Sequence, residues 1–154
     1  MIKNRTFLCM RILQILIGFV LFITAVGKLL DNRGFATVLN TYQTFNPDYT
    51  LALGLSVSLI ELFLAAWLFL GSQAIVTAAF ALLMHIAYTL WSFYHVRMGL
   101  KIDNCGCFGV FWARPLGMAT VYEDLFMTIL CSILLLIALK IKTQSIPHAR
   151  KGVQ

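Results

Sequence analysis

With 154 residues, 60% of them hydrophobic, only 12% charged and a net charge of +6, the chain is too apolar to close a water-facing surface around a soluble core. Its composition excludes a soluble domain and defines an integral membrane protein. The positive balance calls for no nucleic acid: basic tails beside a bilayer meet anionic lipid, and no nucleic-acid recognition module is legible.

A bilayer core about 30 Å thick is crossed by roughly 20 apolar residues in a helix rising about 1.5 Å each. Four stretches reach that length, at 12–30, 51–71, 74–96 and 121–139. Lipid admits helices and closed barrels but not open sheets. The predicted fold is therefore all-α: one four-helix membrane bundle over residues 1–154, with no room for a soluble domain.

The first span follows Lys3, Arg5 and Arg11, as a secretory signal would, and Ala25-Val26-Gly27 has the outline of a cleavage site. Its apolar run exceeds the roughly 7–15 residues of a signal core, so it is read as a retained anchor. Gln14, Gly18, Ala25 and Lys28 recur on one helical face. The stretch from Asp31 to Thr50, punctuated by Asp31, Asn32, Gly34, Asn46 and Pro47, reads as a loop along the outer surface. Tyr42 and Phe45 suit the headgroup level there. The second span shows Gly54, Ser58, Glu61 and Ala65 on one face, small enough for close helix contact apart from the carboxylate. Only Gly71, Ser72 and Gln73 separate it from the third span, which predicts a tight antiparallel pair.

The third span carries the most polar stripe, Ala81, His85, Tyr88, Ser92 and His95, climbing from mid-membrane towards the next loop. That loop, 97–120, is rich in glycine and aromatic residues and broken by Pro115; loops of such length are often functional when ordered. The fourth span offers Asp124, Thr128 and Cys131, with Glu123-Asp124 read as the acidic start of a helix meeting the positive end of its dipole.

Four spans place both termini on one side. That side carries Lys3, Arg5, Arg11, Lys140, Lys142, Arg150 and Lys151, against Arg33, Arg97, Lys101 and Arg114 opposite, with Lys28 near the edge. Basic residues accumulate on the cytoplasmic side of short loops, so both ends are assigned to the cytoplasm and the 97–120 loop to the outside, where disulfides persist.

Within that loop Asn104-Cys105-Gly106-Cys107-Phe108-Gly109 sets two thiols two residues apart. A disulfide between Cys105 and Cys107 would close a small ring, and bonds away from relaxed geometry are more reducible. Arg97, Lys101 and Arg114 flank the pair against Asp103 alone, a field that favours the nucleophilic thiolate. Redox exchange is the leading reading. The alternatives are a static or buried inert pair, and a soft ion such as Cu(I) held with His95 and Met98. Zinc is disfavoured by the one-residue spacing, and no metal is assigned.

An ionisable group at mid-span is costly and faces a partner inside the bundle. For Glu61 the natural partner is His85 at similar depth; Lys28 is the alternative, since its long stem reaches inward from a helix end. The pair serves either as a proton relay or as a lock on helix register. Cys131, about 15 Å below the outer surface by helical rise, is read as core, and Cys9, single and on the reducing side, as unremarkable.

Gly27-Lys28 followed by Asp31 and Gly34-Phe35, Glu61, Cys105-Gly106-Cys107-Phe108-Gly109 and Glu123-Asp124 together resemble the pattern of the MauE family, related to DoxX-like membrane proteins, over roughly 12–139. The cysteine segment is the specific part. The resemblance implies a redox-associated protein of the bacterial inner membrane that supports maturation of a disulfide-rich periplasmic dehydrogenase of methylamine utilisation, alongside a thioredoxin-like partner. The expected partners are thus membrane lipid, a thioredoxin-like periplasmic protein and an extracytoplasmic client. No cofactor is assigned; a lipid-soluble quinone could accept the electrons, although the sequence names no site for it. A copper-binding or scaffold protein, and a small membrane subunit of a quinone-linked oxidoreductase, are the competing classes.

Overall fold

The computed structural model describes residues 2–145, with side chains described for 5–143. Of the residues used to orient the chain, the side chain of Lys3 and all of Arg150 and Lys151 lie outside these. The described chain is entirely helical in its regular structure: α1 (Ile2–Leu30), α2 (Asn32–Thr41), α3 (Pro47–Leu70), α4 (Ala74–Arg97) and α5 (Met118–Ser145). Four are long and apolar enough to cross a membrane, over Arg5–Leu30, Pro47–Leu70, Ala74–Arg97 and Met118–Thr143; the first, second and fourth begin several residues before the predicted spans, and the third nearly coincides with its prediction. Phe63, Leu83 and Leu136 are among the large apolar side chains left exposed around the bundle, as lipid-facing positions require.

Helix boundaries follow local chemistry. Asn46 caps α3 by accepting from the Asp48 N–H, Pro47 opens its first turn, and Gly71 ends it in the left-handed region at φ 69. α2 was expected to be loop. Asp31 caps it instead by accepting from the Gly34 N–H at 2.8 Å, and Phe35, Val38 and Tyr42 turn one apolar edge inward at helical spacing.

The core is divided by depth. Ile17, Leu21, Leu64, Leu68, Ala78, Ala81, Cys131 and Leu134 fill the half that holds the α3–α4 turn. A smaller cluster of Val38, Tyr42 and Ile102, with Trp91, Leu100, Val110 and Leu116 against it, closes the other end. Most of the predicted inward positions are buried, Gln14, Gly18, Ala25 and Lys28 on α1, Gly54, Ser58, Glu61 and Ala65 on α3, Ala81, His85, Ser92 and His95 on α4 and Cys131 on α5, while Tyr88, Asp124 and Thr128 are half-buried.

The expected tight pair of second and third spans is not what forms. α1 packs chiefly on α3 and α4 on α5, while α3 and α4 touch sparingly despite their short turn. The small residues of α3 explain this: a side chain on Gly54 would meet Phe35 of α2, and Gly18 of α1 sits against the Ala65 carbonyl. Close approach is thus used up on α1 and α2. On the side facing α4, α3 presents Phe63 and Trp67, and Trp67 meets Phe80 with ring centroids 6.3 Å apart.

One backbone crossing fastens the cysteine loop to this frame. A Cβ on Gly27 would collide with the Phe108 carbonyl, and one on Gly109, at φ +72, with the Gly27 carbonyl. Gly27→Val should lower stability by about 1–3 kcal/mol through overpacking. Gly117→Ala, where no neighbouring atom lies within 4 Å, should cost less, at most about 1 kcal/mol from the poorer cap that alanine makes before α5. Thermal unfolding in mild detergent reads both.

Candidate functional site

The loop between α4 and α5 is ordered by its own backbone. The Cys105 N–H donates to the Arg114 carbonyl at 2.7 Å and the Leu116 N–H to the Ile102 carbonyl at 2.8 Å, drawing the two sides of the loop together. Asn104 braces the turn from inside: its Oδ1 accepts from the Gly106 N–H at 2.9 Å and its Nδ2 donates to the Gly109 carbonyl at 3.1 Å. Gly106 takes φ +75 with Phe35 and Val38 pressed against it, so a side chain is excluded by both torsion and space. The Tyr42 hydroxyl donates to the Cys105 carbonyl at 2.8 Å, tying the loop to α2, and burial pushes that phenol well above its ordinary range.

These restraints leave the sulfurs of Cys105 and Cys107 2.7 Å apart, with both cysteines free. The two are electrostatically unequal. The hydrogen bond shared with Cys107 lowers the Cys105 thiol from 9.0 to about 7 against the opposing effect of burial; the Cys107 backbone N–H, 3.4 Å from the Cys105 sulfur, and Arg114 act in the same direction. The same shared proton, with burial, drives Cys107 far upward. Of the three basic residues flanking the pair in sequence, Arg97 and Lys101 are exposed and Arg114 is the one that acts on the sulfur. Arg114 is itself held by a bidentate pair to Glu123 at 2.9 and 2.7 Å, which raises its pKa, and lies over the Phe108 ring. Glu123 and Asp124 were expected to start a helix. α5 instead begins at Met118, so Glu123 is free to hold Arg114 while Asp124 accepts from Ser92 at 2.8 Å.

Beneath the sulfurs lies a cavity of about 320 Å³ whose walls come from all five helices and the loop. At its base Glu61, fully buried, accepts from Lys28 Nζ at 2.6 Å, the Tyr88 hydroxyl at 2.5 Å and the Thr24 hydroxyl at 3.3 Å. The partner of Glu61 is therefore Lys28, and the expected pairing with His85 does not form. The Lys28 stem runs inward from the last turn of α1, and its ammonium also lies 5.5 Å from the Phe35 ring centre and 5.4 Å from that of Tyr88. His85 lines the same cavity, 4% exposed, with neither ring nitrogen hydrogen-bonded.

His95 is not brought to this site. Its Nδ1 donates to the Trp91 carbonyl at 2.9 Å, its Nε2 lies 3.1 Å from the Thr44 hydroxyl, and Tyr42, Trp91 and Tyr94 surround the ring. With Met98 exposed, the set imagined for a soft ion is not assembled, and among the described residues no group of three or more His, Cys, Asp or Glu converges. Cys131 lies in the core and Cys9 is exposed on α1. Tyr42 is the site residue that the sequence placed elsewhere, at the headgroup level, while Asp124 stands on the inward face expected of the fourth span. The helical spacing of Phe35, Val38 and Tyr42 was the signal for Tyr42.

Fold and site together define a class, a multi-pass all-helical membrane protein whose ordered dithiol loop roofs a polar-based cavity inside the bundle. The chain belongs to the MauE family: the family model described as methylamine utilisation protein MauE matches residues 6–138, a span that takes in Lys28, Glu61, His85 and both loop cysteines. Comparison with curated proteins and with solved structures gave no match.

The unequal thiols have a measurable consequence. Because the Cys105 value is depressed, its thiolate predominates above about pH 7. Alkylation of Cys105 in the reduced protein, followed by peptide mass spectrometry, should be half-maximal near that pH. In Cys107→Ala the midpoint should rise towards the ordinary thiol value.

Proposed function

We propose that the chain is a bacterial inner-membrane protein that performs thiol-disulfide exchange on its extracytoplasmic face, with Cys105 and Cys107 cycling between dithiol and disulfide. The observation that carries this reading is the 2.7 Å approach of two sulfurs in a loop braced from four sides, one of them supplied with a stabilised thiolate. A pair meant only as a staple has no use for that asymmetry.

The chemistry divides between the two residues. In the oxidised protein an incoming thiolate attacks the Cys107 sulfur, on the less covered of the two residues, forming a mixed disulfide. Cys105 departs as the thiolate, with the Cys107 N–H and Arg114 to hold its charge, and a leaving thiol of lower pKa leaves faster. The partner's second thiol then attacks its own sulfur in the mixed disulfide and releases Cys107. The partner ends as a disulfide and the loop as a dithiol; the reverse sequence reduces the partner.

A thioredoxin-like protein or a disulfide-bearing client fits such a step. The family description supports a role in methylamine utilisation, and the resemblance read from the sequence implies a periplasmic dehydrogenase as the client. Orientation rests on the basic residues gathered at the end away from the loop, Arg5, Arg11, Lys140 and Lys142 among the described ones. Glu61, held by Lys28 at 2.6 Å and Tyr88 at 2.5 Å on one oxygen, fits a lock on helix register better than a relay.

A thioredoxin lacking its resolving cysteine, mixed in reduced form with the purified oxidised chain, provides the test. A mixed disulfide mapping to Cys107 is expected, abolished in Cys107→Ser. Absence of any adduct, or one mapping to Cys105, would contradict the reading.

A further inference from the structure

We propose that the cavity under the cysteine loop binds the ring of a lipid-soluble quinone, which oxidises the Cys105–Cys107 dithiol; this rests on the exchange reading above. The first observation is His85. A side chain 4% exposed with both ring nitrogens unpartnered is rare, because an unsatisfied buried polar group costs about 1–3 kcal/mol. A neutral imidazole needs an acceptor for one nitrogen and a donor for the other, and His85 turns towards empty space that a ligand oxygen can fill.

The cavity specifies the ligand further. Its volume of about 320 Å³ suits a small-molecule head, and its walls are mostly apolar and aromatic. The two cations in its walls, Lys28 and Arg114, are already paired with Glu61 and Glu123, and Asp124 adds a third carboxyl group. An anionic ligand such as a fatty acid therefore finds no spare positive charge at the base, and a neutral one is favoured. Access comes through the gap where α3 and α4 part: half-buried Leu53 and Val57 on α3 and exposed Ala87 on α4 all line the cavity. A ligand dissolved in the bilayer enters there, its tail remaining in lipid.

Chemistry closes the choice. Cys105 and Cys107 line the upper end of the same cavity. Oxidising them breaks two S–H bonds, forms one S–S bond and releases two electrons and two protons. A quinone takes up all four as its two carbonyls become hydroxyls, so the exchange balances with no further reactant.

The experiment uses the purified full-length chain in detergent and a fully ring-substituted benzoquinone with a ten-carbon tail, which cannot add thiols to its ring. Binding is read by quenching of tryptophan fluorescence, Trp91 lying in the cavity wall, in a Cys105→Ser/Cys107→Ser double variant that cannot react. Saturable quenching is expected, weakened about tenfold or more by His85→Phe, the loss of one hydrogen bond. Val57→Trp, which fills the gap and leaves the polar base untouched, should weaken it comparably and covers the case in which His85→Phe fails to fold. With the cysteines present, one quinol should appear per disulfide formed. No saturable quenching, equal affinity in both variants, or equal competition by decanol would overturn the proposal. Because thioredoxin exchange is measured without quinone, its survival beside failed quinone binding would remove this inference alone.

Discussion

A carboxylate inside a bilayer must be answered by a cation, and the contact between Lys28 and Glu61 is the condition on which the rest of this fold stands. Removing either partner of a buried pair leaves the other uncompensated at a cost of about 3–5 kcal/mol, so α1 and α3 are fixed in register at that level. Tyr88 brings α4 to the same carboxylate and Thr24 adds a second bond from α1. Three of the spans are thereby referred to one point.

The residue before Lys28 carries that fixed position outward. Gly27 lies against the backbone of Phe108 and Gly109, so the helix end that reaches Glu61 also holds the cysteine loop. The loop is then closed from the other sides by Tyr42 on α2 and by the backbone bonds between its own arms. Two sulfurs are held together over a cavity, and the cavity exists because α3 spends its small residues on α1 and α2 and parts from α4. Position, proximity and access thus descend from a few contacts on one helix turn.

The spans and their inward faces were legible because hydrophobic length and helical spacing are local properties. Glu61, Lys28 and Cys105-Gly106-Cys107 stood out for the same reason, each being an anomaly against its surroundings. Which cation met Glu61 was not legible, since it depends on how far α1 extends relative to α3 and α4 and on which way His85 turns. The separation of α3 from α4 was hidden too: a three-residue turn constrains only helix ends, and the packing choice lay with Gly54 and Gly18 against neighbours distant in sequence. α2 is hidden in the sequence because Asp31, Asn32 and Gly34 have the composition of loop punctuation, whereas Asp31 caps the helix by accepting from the Gly34 N–H.

Everything functional comes down to whether Cys105 and Cys107 behave as one redox couple. Equilibrating the purified chain across a series of dithiol-disulfide buffers and counting free thiols by mass after alkylation addresses this directly. The account predicts that both residues lose and regain reactivity together in a single reversible two-electron transition. Independent behaviour of the two thiols, or full alkylation of both at every buffer poise, would contradict it.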